Sequence, residues 1–324
     1  MGFSESIAIL LGLPSLVALL YSKRRLVRMT AAVVLVVLAF VVSTSLLQRF
    51  ASDASDLPLD GYEWSELSDI SAEIADAGSY EEAVEIARRR GILGEHDRLD
   101  GTQEKTVTLS NGVETSVHII GFNHDIRGDG VKKAGITFAF ADSVAAYSMN
   151  ESPSNDGGWK YSEMRPWLNE DFISLLPTDL LDVIVPVIKQ TNNAGQAHDA
   201  GCVTPTLDSL WLLSVTECLG DVWTGGENAY LGGIAGAEGD QYEVYANLDI
   251  HASSPEGNSI LERRCLVEYP PEGLIHGESG RWWLRSPSAY TSSDFASENF
   301  GGAGEPDGNR NADEVWGVAP CFCI

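Results

Sequence analysis

Apolar positions along the chain change their period several times, and each change marks an element. Residues 7–21, interrupted by Pro14, and residues 30–47 are almost continuously apolar, and no charge falls between Val33 and Val42. With its flanks counted, the second run reaches the ~20 residues needed to cross a ~30 Å bilayer, whereas the first is marginal. Beyond a short polar stretch with Pro58, residues 64–77 set Leu67, Ile70 and Ile74 at helical spacing. Ser79-Tyr80-Glu81-Glu82 then reads as a capping box opening a second helix over 81–90. Arg88-Arg89-Arg90 followed by Gly91 suits the end of that helix, where cations meet the negative end of the dipole.

From Lys105 the period becomes two. Residues 106–109, a turn at Ser110-Asn111-Gly112 and residues 113–120 predict a β-hairpin, and residues 134–140 predict another strand. Helical spacing returns over 161–176 with Ser162 as N-cap, and Thr178 is placed to cap 179–184. Residues 185–189 and 209–213 read as strands, 214–218 as a helical turn, and 220–248 and 268–280 as long loops. The predicted fold class is α+β: short N-terminal helices followed by a mixed α/β domain with long loops, not a doubly wound sheet.

The last 44 residues carry the strongest pattern. Trp282-Trp283-Leu284-Arg285-Ser286-Pro287 opens them as a dense apolar strand, and residues 316–324 close them with another. Between the two lies a loop rich in Gly, Ser, Asn and Asp, the composition of adaptable binding surfaces, in which aromatic residues act as anchors. Tyr290, Phe295, Asn299, Phe300, Asn309 and Asn311 are the residues expected to meet a ligand there. Arg165 near Trp167, and Arg285 close to Trp282 and Trp283, are expected to be structural fasteners that stack on indoles and bond carboxylates or carbonyls.

Charge adds a topology. Residues 1–50 carry a net +4, which leaves −30 on residues 51–324. The basic loop 22–29 sits between the two apolar runs and is placed in the cytoplasm by the positive-inside rule, so the chain after about residue 50 is expected outside the cell. This divides the sequence into a membrane anchor of one or two helices (1–50), a linker (51–60), a helical subdomain (61–103) and an α+β domain (104–324). Nucleic acid is not an expected partner of so acidic a surface.

Five cysteines, Cys202, Cys218, Cys265, Cys321 and Cys323, form no CxxC pair and have no histidine at zinc-site spacing. In an exported domain one or two disulfides could form, though the odd count and wide spacing assign no pairing. Cys321 and Cys323 would share one face of a strand and are expected to be buried thiols, with a redox pair or a bridge to Cys202 or Cys265 as the alternatives. No cofactor is expected. Residues 307–313 space side-chain oxygens like the start of an EF-hand, but Ala312 and Val318 stand where Gly and Glu are required, which leaves only an irregular calcium site as a candidate. His124-Asp125 could pair as imidazole and carboxylate, yet neighbours on a turn point apart, and turn hydrogen bonds are the expected role.

Several segments together resemble a family of bacterial surface proteins of unknown function. They are Gly121-Phe122-Asn123-His124-Asp125, Lys133-Ala134-Gly135-Ile136-Thr137-Phe138, and the Gly157-Gly158-Trp159 run continuing to Arg165-Pro166-Trp167-Leu168-Asn169. Leu210-Trp211-Leu212-Leu213-Ser214, Glu238-Gly239-Asp240-Gln241-Tyr242, Trp282 to Pro287 and Gly317-Val318-Ala319-Pro320 complete the set, so that the likeness covers residues 61–324. The C-terminal pattern is similar to the C-type-lectin-like fold of formylglycine-generating enzymes and of variable receptor proteins. The copper-binding cysteine pair of the former is not reproduced by Cys321-Phe322-Cys323. The resemblance carries no activity with it; the apolar runs with their basic flank, the acidic chain beyond them, the lack of a catalytic constellation and the loop composition lead to the expectation of a membrane-anchored extracellular module that recognises a protein or glycan through residues 288–311. A cell-envelope enzyme using His124-Asp125 or the terminal cysteines, and a module assembling through residues 64–90, are the alternatives.

Overall fold

The structure, a computed structural model, describes residues 58–220, 234, 236–251, 259–267, 276–298 and 310–324. The proposed anchor, its basic loop and residues 51–57 of the linker lie outside the described residues, as do Asn299, Phe300 and Asn309. Among the described residues no helix is long and apolar enough to cross a membrane.

Two helices open the described part, α1 (Trp64–Ala75) and α2 (Tyr80–Arg89). The stripe Leu67, Ile70 and Ile74 is buried, as the spacing predicts. Glu63 and Glu66 form a capping box on α1 that the helical spacing does not announce, whereas the box expected at α2 is half made: Ser79 accepts from the Glu82 N–H. The Glu82 side chain turns to the Gly78 N–H instead. The helices share one apolar core with the strands, so residues 61–103, expected as a helical subdomain, are continuous with the α+β domain. Trp64 meets Phe138 edge-on at 5.6 Å, and Phe138 stacks on Phe322 at 5.3 Å, joining helix, inner strand and terminal strand.

The strands are β1 (Glu104–Thr108), β2 (Glu114–Phe122), β3 (Ile126–Arg127), β4 (Ile136–Phe140), β5 (Ala145–Tyr147), β6 (Val187–Asn192) and β7 (Val203–Asp208). They continue with β8 (Arg263–Arg264), β9 (Ser279–Gly280), β10 (Trp282–Pro287), β11 (Asp294–Glu298), β12 (Arg310–Asn311), β13 (Trp316–Val318) and β14 (Cys321–Cys323). The sheets run β1-β2-β4-β14, β12-β11-β10-β13-β5, β3-β6-β7 and β8-β9. The fold is therefore mixed α+β. The chain terminus is tied in twice, through the pairing of Cys323 with Thr137 and through a 2.5 Å hydrogen bond from the Ser71 hydroxyl to the Ile324 carbonyl.

Four expectations change. The helix expected over 161–176 is a series of short turns, α3 (Gly158–Tyr161), a turn at Met164–Pro166, a π turn and a 3-10 turn. Pro166 has no N–H to continue a helix, and the Asn169 amide holds the Arg165 and Leu210 carbonyls. Thr178 is the first residue of α4 (Thr178–Leu181) and does not cap it; Pro177 stands at the N-cap position. Residues 209–213 form no named strand, since β7 ends at Asp208 and only Trp211 bridges to Cys321. Residues 288–311, expected as one polar loop, contain β11, which is buried along its whole length. Two short helices, α5 (Val215–Leu219) and α6 (Glu243–Asn247), complete the fold.

Candidate functional site

Three carboxylates and two cations meet in the interior where the sheets join. Asp125 follows β2, Lys189 lies on β6, Glu217 on α5, Arg285 on β10, and Glu238 and Tyr242 precede α6; none is more than 3% exposed. Lys189 Nζ lies 2.5 Å from Asp125 and 2.6 Å from Glu217, and it donates to the Tyr242 hydroxyl at 3.0 Å. Asp125 also accepts from Thr137 Oγ1 at 2.7 Å and from the Tyr242 hydroxyl. Arg285 donates to both Glu217 oxygens, to Thr191 Oγ1 at 2.8 Å and to the Leu212, Gln190 and Glu238 carbonyls. Its five N–H groups thus all find acceptors.

Charge balance explains how such a cluster survives burial. Burial acts against every charge there, but on Asp125 the Lys189 and His124 charges outweigh it and hold the carboxyl well below its usual range. On Glu217 burial is likewise outweighed, by Arg285 and Lys189. Lys189, penalised by burial, is still raised by Asp125 and Glu217. Glu238 is the exception: burial pushes it up despite Arg285, towards the neutral acid, while it holds Ser286 and the Asn192 N–H. Lys189 and Arg285 thus pair with Asp125 and Glu217, and the network bonds three sheets together.

His124 and Asp125 diverge. Asp125 turns into the network, whereas the His124 ring stacks on Tyr242 with centroids 4.0 Å apart and places Nδ1 3.5 Å from Glu243 Oε1. The other oxygen, Oε2, lies 3.4 Å from the same nitrogen in ion-pair contact and is buried without a hydrogen bond. Gly121 permits this approach, because a Cβ there would lie 2.4 Å from Glu243 Oε2 and 3.0 Å from the Tyr242 ring. The neighbours therefore form no base dyad. Burial lowers the His124 pKa, yet the Glu243 hydrogen bond and the Asp125 charge outweigh it, and the net shift is upward.

A folded-state pKa above the ordinary 6.5 means that protonation of His124 stabilises the fold. That contribution is complete below pH 6.5 and disappears as pH rises through the folded value. Wild-type unfolding free energy should therefore fall across this window, and His124→Gln should flatten the fall. Denaturant midpoints measured pH by pH check it; an undiminished fall in the variant rejects the assignment.

The terminal cysteines are set for packing. All five cysteines are unpaired. Burial pushes the Cys321 thiol up to about 12, and burial followed by the Asp125 charge pushes Cys323 well above its ordinary value. Both stay protonated thiols, which are poor nucleophiles and poor metal ligands. Among the described residues no group of three or more His, Cys, Asp or Glu could hold a metal ion. The 307–313 candidate for calcium falls partly outside the described residues, and of its described part Ala312 is buried.

The residues expected to meet a ligand separate. Tyr290 is 46% exposed, and Asn311 is exposed on β12. Phe295 is fully buried on β11, where it pairs with Pro287 and Arg310. It belongs to the frame and not to the surface, because a strand between β10 and β12 turns its apolar side chain into the core. The Tyr290 backbone is fixed: its N–H donates to Ser288 Oγ, its carbonyl accepts from Gln196 Nε2 at 2.7 Å, and His198 meets its ring edge-on at 4.7 Å. Buried Asn155 bonds the Thr291 and Asp294 carbonyls at 2.8 Å each, and it leads into α3, whose Tyr161 is 70% exposed. His198 and Gln196 were not foreseen. Neither lies in a distinctive motif, and only the folded chain sets them beside Tyr290.

The expected fasteners use carboxylates and carbonyls. Arg165 Nε lies 2.6 Å from Asp208, which also accepts from the Trp159 indole. Trp167 stacks on Tyr147 at 4.3 Å, Trp282 donates to the Leu261 carbonyl and Trp283 to the Tyr147 carbonyl. Cation–π contacts fall elsewhere, with Lys189 over Trp211 at 4.8 Å and Arg263 over Trp282 at 4.4 Å.

A family model described as a domain of unknown function, DUF6273, matches residues 134–324. The chain belongs to that family. The DUF6273 match runs from just before β4 to the terminal strand and takes in Lys189, Glu217, Glu238, Tyr242 and Arg285, though not Asp125. No curated protein and no solved structure matches the chain.

Proposed function

We propose that this chain is a membrane-tethered binding module whose surface around Tyr290 recognises an extracellular protein or glycan. The observation that carries the reading is an exposed aromatic side chain on a backbone held from both sides. Ser288 and Gln196 fix Tyr290, while His198 supports its ring. Such a side chain offers contact area at small entropic cost on binding. His198 and Gln196 supply further aromatic and polar groups beside it, and Tyr161 is a second exposed aromatic, on the element that Asn155 leads into. The apolar run 30–47 and its basic flank support the tether, with the acidic domain outside the cell. The C-type-lectin-like reading of the fold draws support from the terminal strand returning to β4 and from β10 lying between β11 and a parallel β13.

The chemistry-bearing groups favour binding over catalysis, because the strongest acids and bases neutralise one another inside the fold. Screening the full chain against a glycan array and an envelope proteome should yield a ligand whose affinity falls by about tenfold to a hundredfold in Tyr290→Ala, the range of a binding hot spot. Unchanged binding by a Tyr161→Ala/Tyr290→Ala double variant would place recognition elsewhere.

A further inference from the structure

A separate cleft of about 790 Å3 opens between the end of α1 and the hairpin that comes after β3. Its volume lies within the usual range of small-ligand sites. It shares no residue with the Tyr290 surface. One wall is the small-residue stretch Ala72, Ala75, Ala77, Gly78 and Ser79, together with Asp76. Its charge character is negative, since Asp76 adds a carboxylate to the carbonyl end of α1. The opposite wall carries Arg127, Lys132 and Lys133.

Those three cations are conspicuous in a chain with 47 acidic residues against 21 basic ones. None of them has an ion pair with a carboxylate across the cleft among the described residues. The nearby Asp129 is taken up by its own turn, where Oδ1 accepts the Val131 and Lys132 N–H groups at 2.9 Å. Two buried acceptors without a hydrogen-bond donor lie on the inner side. Asn123 donates its amide to the Ile74 carbonyl at 2.6 Å, but its Oδ1 has no partner, and Glu243 Oε2 has no hydrogen bond. Tyr80 also lines this end, where burial followed by the Glu243 charge pushes its phenol up to about 12, keeping it a neutral hydrogen-bonding group.

A cleft with a cationic wall that makes no ion pair across it, Arg127 and Lys132 acting only on Asp129 of their own turn, and an acceptor-rich, negative end matches a ligand bearing both signs. We propose that it binds a small zwitterion of peptide size, with its carboxylate at Arg127, Lys132 and Lys133 and its ammonium at Glu243, Asn123 and Asp76. The alanine-lined wall offers apolar contact to small side chains such as methyl groups. An ammonium there would supply donors to the two oxygens that lack them.

Calorimetric titration of the full-length chain in detergent tests this with tri-alanine, N-acetyl-tri-alanine and tri-alanine amide. Tri-alanine should bind saturably, and loss of either charge should weaken it at least about tenfold, a typical difference for a charge-assisted contact. Glu243→Gln should weaken tri-alanine comparably while leaving the acetylated peptide unchanged. The capped peptides on the unaltered protein keep the test independent of whether any variant folds. Equal affinity for all three peptides, no saturable heat with any, or sensitivity to amidation alone would overturn the proposal, the last by reducing the cleft to a plain anion site.

Discussion

Arg285→Met is expected to destabilise the protein by about 3–5 kcal/mol, the cost of removing one partner from a buried ion pair. The methionine would fit the space but would leave Glu217 facing Lys189 alone, with Asp125 competing for the same ammonium at 2.5 Å. It would also strip donors from the Leu212, Gln190 and Glu238 carbonyls. Denaturant unfolding followed by tryptophan fluorescence measures the loss. Pairing the change with Glu217→Gln should restore part of it, because the second substitution removes the stranded charge. A loss below about 1 kcal/mol in the single variant would mean that water reaches the cluster and screens it.

Gly135→Ala should be the next most damaging substitution, at about 3 kcal/mol or more, the upper part of the range for forcing atoms into a packed core. A Cβ at that position would stand 1.8 Å from the Ser71 carbonyl oxygen and 2.6 Å from its carbon. Those are backbone atoms of α1, so no rotamer change relieves the clash. The helix must move away from β4, and with it would go the Ser71 hydroxyl that bonds the Ile136 N–H and the terminal Ile324 carbonyl. A melting temperature within a degree or two of wild type would show that α1 shifts freely. A large drop with retained helical circular dichroism would show that docking, not helix formation, is what the glycine protects.

Much of the framework is legible in the sequence because it rests on local periodicity. The buried stripe of α1, the Ser79 cap of α2, the 104–122 hairpin, the Trp282–Pro287 strand and the terminal strand all depend on side-chain spacing within a few residues. The broken segment 158–175 escapes such reading because helical spacing of apolar residues survives in a string of turns; Pro166 breaks the helix locally, and the Asn169 contact to residue 210 sets the path beyond it. Strand β11 reads as loop for a related reason. Its sequence, Asp294-Phe295-Ala296-Ser297-Glu298, looks polar, but all five residues are buried because β10 and β12 flank it.

What the sequence by itself determined, then, is the class of fold, the order of its main elements, and the terminal strand as part of the core. What only the tertiary structure decided is which charges neutralise one another. Asp125, Lys189, Glu217 and Arg285 are scattered between residues 125 and 285, and although Arg285 reads as a fastener and Asp125 as a turn residue, nothing local names Glu217 or Lys189 as their partners. Apolar spacing records a preference for one face, which each residue carries locally. The energy of a buried charge depends on the distance to its partner and on the absence of water, and neither exists until the chain has folded.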